Sequence, residues 1–172
     1  MLNYGSGGAG TTNHLANELL KHLQKINVVH VPYKGATLAT VAAISGEVDQ
    51  TIVSVASILP LIKQNKVRPI VVLSEKRVNN LPDVQTSTEA GYPEFKMSIW
   101  YAMFAPANTP REIINKLSTE AQKALDSKDL RATLDSQSIN PWYGTPEQLA
   151  ALLKAEIPRY ATIVKSAGIQ QQ

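Results

Sequence analysis

Short apolar runs rich in β-branched residues alternate with segments of helical length along the first half of the chain, and this alternation is what most limits its fold. Three runs are nearly continuous in apolar character: "NVVHVPY" (27–33), "QTIVSV" (50–55) and "VRPIVVL" (67–73). Such runs are typical of strands covered on both faces. Segments of helical length lie between them: 12–25, 36–45 (which Gly46 is placed to end) and 56–65. Residues 3–74 therefore predict a parallel, helix-covered sheet.

The second half of the chain has a different character. Residues 75–96 are rich in proline, charge and turn residues, which predicts a long surface loop. Residues 97–107, "MSIWYAMFAPA", predict one more apolar strand, and three helices are expected after it. Two of these helices should begin with a threonine N-cap followed by proline at the first helical position, at Thr109-Pro110 and Thr145-Pro146.

Charge and composition exclude several classes of protein. The net charge of +3 comes from 17 basic and 14 acidic residues that are scattered along the chain, so no basic stripe indicates a nucleic-acid partner. The chain has no cysteine, which rules out disulfides and thiolate chemistry. It shows no apolar run of about 18 residues and no signal-peptide pattern after Met1, so we expect a soluble chain without a targeting segment.

A glycine-rich loop, "GSGGAG" at residues 5–10, lies between the first predicted strand and the first predicted helix. A dinucleotide site would also need an acid near the end of the next strand, and no acid occurs between Glu18 and Glu47. A P-loop would need a lysine where this chain has Thr11, although Thr12 fits the magnesium-binding hydroxyl. Both nucleotide interpretations are therefore disfavoured.

The loop is better suited to a small anion such as a carboxylate. Glycines at positions 7, 8 and 10 allow backbone amides to converge, and the start of the next helix adds unpaired N–H groups and partial positive charge. Ser6, Thr11 and Thr12 offer hydroxyl donors. An equally simple interpretation is that the glycines only form a tight turn and a threonine only caps the helix. The sequence leaves these two alternatives open.

Other polar residues also suggest sites. His14, Glu18 and His22 share one side of the first helix, which would suit either a metal or a solvated polar face; we favour the solvated face. His14 lies in the first helical turn, where a neutral imidazole that donates to a ligand is favoured. Tyr33 and Gly35 follow the second strand, at the edge where open α/β sheets bind ligands.

Catalytic motifs are absent from the sequence. It contains no G-x-S-x-G elbow, no H-E-x-x-H and no cysteine nucleophile. We therefore expect a binding module that is not an enzyme and that needs no cofactor or metal.

Six motifs resemble, in order and spacing, one family of receptors. They are "NYGSGGAGTTNHLANELL", "VVHVPYKGA", "ISGEVDQ", "LPDVQTSTEAGYPEF", "WYAMFAPANTPREIINKL" and "GTPEQLAALLKAEIPRYATIVKSAGI". In this respect the chain resembles the extracytoplasmic solute receptors of tripartite tricarboxylate transporters, the Bug-type family, over residues 2–169.

The resemblance implies a type II periplasmic-binding-protein-like α/β fold that closes on a small organic carboxylate or amino acid. It also implies a periplasmic location and membrane transporter subunits as partners. Residues 2–101 would form the second lobe with the glycine-rich ligand loop, and residues 102–172 the C-terminal segment of an otherwise missing first lobe. After the third strand the family often has an acid and an amide or similar polar group, and this chain departs from that pattern with Val53 and Ser54. Ser54 is the polar residue at this strand end that we include among the ligand contacts.

The family's first lobe precedes the region that this chain matches, so we expect a chain truncated at the N-terminus with half of the cleft missing. Its last three helices would then expose apolar faces, which favours a homo-oligomer. The two functional hypotheses are a carboxylate-binding receptor fragment and a non-binding module that self-associates. The identity of the solute does not follow from the sequence, because discrimination depends on the shape of the whole cavity.

Overall fold

The computed structural model describes residues 1–169, which fall into two compact units. The first unit consists of Met1–Ile99 together with the described chain from Pro158 on, and the second unit is Trp100–Ile157. The assignment of residues 2–101 and 102–172 to two lobes of a receptor stays a prediction.

A three-stranded parallel sheet lies at the centre of the first unit, with the first strand in the middle. The strands are β1 (Asn3–Ser6), β2 (Val29–Pro32) and β3 (Gln50–Thr51), in the order β2-β1-β3. In this register Tyr4 lies opposite both His30 and Gln50. A helix follows each strand: α1 (Thr12–Gln24), α2 (Ala36–Ser45) and α3 (Val55–Lys63). The predicted alternation is confirmed up to α3.

The prediction of strands at residues 67–73 and 97–107 was wrong. No strand is formed over either segment of the described chain, and Val72 makes only an isolated parallel bridge to Thr86. Apolar side chains in both segments are exposed, at 69% for Ile70 and 88% for Tyr101. A strand needs a neighbouring backbone for its hydrogen bonds, so an apolar sequence without such a neighbour does not form one.

Helix α1 is buried on two sides. Its apolar residues Leu15, Ala16 and Leu19 form a core cluster with Phe95, Met97 and Ile163. Its polar residues Asn13, His14, Asn17 and Glu18 are buried as well. Asn17 accepts a hydrogen bond from the Gln50 side chain on β3 at 3.1 Å, so the polar side of α1 is tied to the sheet. Helix α1, which follows the glycine loop, is therefore fixed by apolar packing on one side and by hydrogen bonding to the sheet on the other.

Helix α3 forms a second cluster with the loop that follows the sheet. Leu59 on α3 is buried with Val72 and Leu81. The predicted loop at residues 75–96 is confirmed as a segment without helix or strand, but it does not run wholly over the surface, because Leu81 and Phe95 are buried. Arg77 and Glu89 brace it from opposite ends, with both carboxylate oxygens 3.0 Å from the guanidinium Nε.

The last three helices are α4 (Arg111–Asp126), α5 (Lys128–Ser136) and α6 (Pro146–Ser166). No residue of α4 or α5 is buried. The predicted start of α6 is confirmed, because Thr145 and Gln148 each accept the other's backbone N–H. The predicted Thr109 cap was wrong, since Pro110 is the N-cap of α4 and the Thr109 hydroxyl donates to the Pro106 carbonyl.

Gly46 ends α2 in the left-handed conformation, at φ 78°, as predicted. Within residues 1–169, none of the helices is both long enough and apolar enough to cross a membrane.

Replacement of Gly7 by alanine should destabilise the first unit. A methyl group there would lie 2.9 Å from the backbone nitrogen of Ala36 and 3.1 Å from the Gly35 carbonyl carbon, and backbone atoms cannot turn away. We expect Gly7→Ala to lower the free energy of unfolding by about 1–3 kcal/mol, measured by urea denaturation. Ala9→Ser, at an exposed position of the same loop, is the matched control. Equal stability of both variants would contradict this close packing.

Candidate functional site

In the structure β1 includes Gly5 and Ser6, so the glycine loop comprises residues 7–11, between β1 and α1. The loop is held by hydrogen bonds from its own amides. The N–H groups of Gly7, Gly8 and Gly10 donate to Asn13 Oδ1 at 3.4 Å, to Ser6 Oγ at 3.1 Å and to His14 Nδ1 at 3.0 Å. Gly8 and Gly10 have φ of 124° and 76°, which side chains other than glycine rarely adopt. The three glycine amides are thus engaged within the protein and shape the loop.

Capping of α1 by a threonine hydroxyl was one of the two interpretations of this loop, and for Thr11 it is wrong. Thr11 is the N-cap residue but makes no side-chain capping bond, because its hydroxyl donates to the Gly8 carbonyl at 2.7 Å. The first amides of a helix have no acceptor within the helix. The start of α1, with the partly exposed Thr12 at its first position, is therefore left without a capping side chain.

All three helices of the sheet begin at the same edge. Parallel strands end side by side, so the starts of α1, α2 and α3 lie at the carboxyl ends of β1, β2 and β3. Their N-cap residues are Thr11, Gly35 and Ser54, and none makes a side-chain capping bond. The Ser54 hydroxyl lies 3.0 Å from the Ser57 hydroxyl. This edge therefore carries three helix starts with partial positive charge.

The loop after β2 is fastened to the glycine loop. The amide of Tyr33 donates to the Ser6 carbonyl at 2.9 Å, and the amide of Gly35 donates to the Gly7 carbonyl at 3.1 Å. The Tyr33 hydroxyl donates to Glu47 at 2.8 Å. Two loops from neighbouring strands thus form one connected surface at the sheet edge.

A cluster of five side chains, which we call the buried cluster, lies beneath the glycine loop: Tyr4, Ser6, His14 and Glu18 are buried, and His30 is half-buried. The Tyr4 hydroxyl donates to Glu18 at 2.6 Å, and the Ser6 Oγ lies 2.6 Å from His30 Nε2. The ring of His30 stacks on that of His14 with centroids 4.0 Å apart and on that of Tyr4 at 4.9 Å. Two strands, β1 and β2, and one helix, α1, thus meet in one polar layer, which ties the loop to the sheet.

Burial and charge set the protonation of this cluster. Burial lowers the pKa of His30 to about 4, helped by the nearby His14, and burial also lowers the pKa of His14 against the opposing effect of Glu18. Burial alone would raise the pKa of Glu18, but hydrogen bonds from Lys21 and Tyr4 lower it overall. At neutral pH the cluster therefore holds two neutral imidazoles and one carboxylate paired with Lys21 at 2.7 Å.

The stripe of His14, Glu18 and His22 is not a solvated face, so that interpretation was wrong. His14 and Glu18 are buried, whereas His22 is exposed. In residues 1–169 no group of three histidine, aspartate or glutamate side chains is placed to hold a metal ion. The sequence analysis missed His30 and Tyr4. A histidine inside the apolar run "NVVHVPY" was the signal for a polar partner of His14 on β2.

The predicted ligand residues fall into two groups. Those that lie partly or fully open at the sheet edge are Gly7, Gly8, Gly10, Thr11, Thr12, Tyr33, Gly35 and Ser54. Ser6 and His14 have buried side chains with partners inside the protein. These two side chains support the loop from below.

Comparison with known proteins gives a consistent result. Residues 1–169 match the tripartite tricarboxylate transporter family receptor. A Pseudomonas sp. protein from the tcbD-tcbE intergenic region is 37% identical over 164 residues, which are 95% of this chain and 49% of that protein. The chain thus spans about half the length of this relative.

Solved structures are similar over nearly the whole chain. R. palustris Rpa4515 with adipate has a TM-score of 0.86 and 33% identity, covering 98% of this chain and 56% of that one. The periplasmic binding protein BugD has a TM-score of 0.82 and 29% identity, covering 99% and 58%. The α/β fold of periplasmic binding proteins is therefore confirmed for this chain.

Removal of the Tyr4 hydroxyl should destabilise the buried cluster. Tyr4→Phe takes one donor from the ionised, buried carboxylate of Glu18, so we expect the free energy of unfolding to fall by about 1–2 kcal/mol. Tyr33→Phe is the matched control, because its hydroxyl donates to Glu47 at an exposed site and its loss should change stability by less than about 0.5 kcal/mol. Chemical denaturation measures the free energy of unfolding of both variants. An equal loss in the two would mean that the Tyr4–Glu18 hydrogen bond stabilises the protein no more than the exposed Tyr33–Glu47 bond does.

Proposed function

Because the chain belongs to the tripartite tricarboxylate transporter receptor family, we propose that its sheet edge binds a small organic carboxylate. The observation that carries this proposal is the set of three helix starts at one edge without a capping side chain. Free N–H groups and partial positive charge at a helix start favour an anion. The glycine loop adds a close backbone surface on which the carboxylate can lie.

In this proposal each part of the edge has a separate task. The first amides of α1 and the Thr12 hydroxyl donate to the carboxylate. Gly7, Gly8 and Gly10 let the loop approach the ligand without side chains in the way. Gly35 and Ser54, at the starts of α2 and α3, contribute to the positive potential of the same edge. Ser6 and His14 act from below by holding the loop.

The wider role follows the family. Receptors of this kind serve tripartite transporters, so we propose membrane transporter subunits as partners and the periplasm as the location. A solved relative holds adipate, a dicarboxylate, which makes adipate a suitable first probe. The chain spans about half of its Pseudomonas relative, so the solute and the partners of a whole receptor are proposals for this chain.

A proline substitution at the first position of α1 tests the proposal. Thr12→Pro removes both the N–H at the first helical position and the Thr12 hydroxyl. Proline is well tolerated at this position, and Thr11 already has the extended conformation (φ −70°, ψ 158°) that proline requires of its predecessor. We expect adipate or another small carboxylate in a panel to bind saturably to the natural chain. Thr12→Pro should weaken that binding about 10- to 100-fold in calorimetric titration, as for loss of a hydrogen bond to a charged group.

Lys128→Pro is the matched control. Lys128 is the first residue of α5 in the second unit, and it follows Ser127 in a similar extended conformation (φ −65°, ψ 139°). This variant should bind like the natural chain. Unchanged binding by Thr12→Pro would move the site away from α1, and no saturable binding of any carboxylate by the folded chain would reject the proposed function.

Exposed apolar surface favours a second candidate function, self-association. In the second unit, Tyr101, Met103 and Phe104 are exposed by 88%, 68% and 66%, and α4 exposes Ile113 and Leu117 by 46% and 44%. The amphipathic α4 buries no residue at all. Apolar surface of this extent is typical of a face that another protein covers. We propose that a second copy of the chain covers it.

Light scattering after size exclusion tests this candidate. At micromolar concentration the natural chain should have the mass of a dimer or larger, and Phe104→Glu with Met103→Glu should give a monomer, since charges on a buried apolar interface are costly. Val41→Glu, on the exposed face of α2 in the first unit, is the control and should leave the mass unchanged. A monomeric natural chain would rule out self-association.

A further inference from the structure

We infer that a neutral His14 latches the glycine loop in its binding conformation and that protonation of this imidazole releases Gly10. The inference starts from an unusual hydrogen bond, in which the Gly10 amide donates to the imidazole nitrogen Nδ1 of His14. Gly10 is exposed and lies immediately before the N-cap of α1, yet its amide is fastened to a ring nitrogen of a side chain that is only 6% exposed. The inference deepens the proposed function, on which its consequence for carboxylate binding rests.

The hydrogen bond fixes the tautomer of His14. An imidazole nitrogen accepts a hydrogen bond only when it carries no proton, so Nδ1 is bare and the proton of the neutral ring is on Nε2. A second proton would have to go to Nδ1, which lies 3.0 Å from the Gly10 nitrogen. Two N–H groups would then face each other at that distance. The hydrogen bond from Gly10 to His14 therefore cannot form when the His14 ring carries a positive charge.

The ring of His14 has little freedom to turn away. It stacks on His30 of β2 at 4.0 Å and lies 6.4 Å from the Tyr4 ring of β1. Glu18 and Lys21, on α1 itself, are the other charged groups that face it, with Glu18 Oε1 3.9 Å from Nε2. Gly10, by contrast, is exposed and has the torsional freedom of glycine. Protonation therefore moves the loop rather than the ring.

The release should be partial and local. The bonds of Gly8 to the Ser6 and Thr11 hydroxyls contain no titrating nitrogen of His14, so this part of the loop stays fastened. Gly10 loses its support, whereas Thr11 keeps its bond to Gly8. In the proposed function the carboxylate lies against the backbone of this loop, so a displaced Gly10 should weaken its binding.

The direction of the pH effect follows from the environment of the ring. Burial lowers the pKa of His14 below its ordinary value of 6.5, with Lys21 acting in the same direction and Glu18 against it. A base with a lowered folded-state pKa gives stability that is fully present above its unfolded pKa and is lost as the pH falls through its folded pKa. The latch is therefore closed at neutral pH and opens in acid.

Nuclear magnetic resonance reads the latch without any ligand. With the ¹⁵N-labelled chain, a scalar coupling between the Gly10 amide nitrogen and His14 Nδ1 should be present at about pH 7.5 and vanish when acid protonates the ring. The protection factor of the Gly10 amide, which is its exchange rate compared with that of an unstructured amide at the same pH, should fall at least about tenfold as the ring protonates. A proton on Nδ1 at about pH 7.5, or a Gly10 amide unchanged by protonation of His14, would overturn the inference.

Two variants separate His14 from its neighbour. His14→Asn places an amide oxygen near the position of Nδ1, so it should keep Gly10 protected at every pH. His30→Gln removes the second imidazole but keeps a polar atom near Ser6, and it should preserve the pH response of Gly10. If His30→Gln abolishes the response and His14→Asn does not, His30 is the switch and the inference is wrong.

Adipate binding supplies a separate measurement. The natural chain should lose affinity about tenfold or more, relative to His14→Asn at the same pH, as the pH falls through the titration of His14. Comparison at equal pH cancels the titration of adipate itself. If neither adipate nor the other carboxylates bind, the proposed function is wrong. The scalar coupling between Gly10 and His14 would still show whether protonation of His14 releases Gly10. Equal pH profiles for the two proteins would overturn the link to binding.

Discussion

Parallel pairing of three short strands is the constraint on which the rest of the first unit depends. With β1 between β2 and β3, three chain segments leave the sheet at one edge, and each turns directly into a helix. The contact between Gly7 and the backbone of Gly35 and Ala36 shows how little space lies between the first two of these turns. Strand direction thus gathers three helix starts into one place before any side chain contributes.

The sheet is small, so its stability comes from the helix packed on it. Helix α1 contacts the sheet through polar groups and the rest of the core through Leu15, Ala16 and Leu19. Buried polar groups are tolerated only when they have hydrogen-bond partners. On α1, Glu18 accepts a hydrogen bond from Tyr4, and Asn17 accepts one from Gln50. The same bonds that stabilise α1 therefore determine the shape of the glycine loop, so stability and the proposed site depend on shared residues.

The sequence correctly predicted those structural features that depend only on residues close together in the chain. The strand–helix alternation, the Gly46 end of α2 and the Thr145 start of α6 require only periodicity or a capping residue, and these predictions are confirmed. The strands at residues 67–73 and 97–107 required a partner from elsewhere, and the prediction failed there. At the candidate site, the glycine loop was recognisable, but the burial of His14 and Glu18 was not, because their partners Tyr4 and His30 lie on separate strands.

The segment at residues 97–107 has a consequence for how the chain behaves at high concentration. Its run "SIWYAMF" carries no charge, is rich in aromatic and apolar residues, and lies outside any sheet with Ile99, Tyr101, Met103 and Phe104 exposed. Uncharged segments of this composition are templates for cross-β stacking between chains. Lys96 before the run and Pro106 after it act as gatekeepers, because a charge and a missing N–H both interrupt such stacking. Two residues outside the candidate site are therefore placed to limit stacking of this segment between chains.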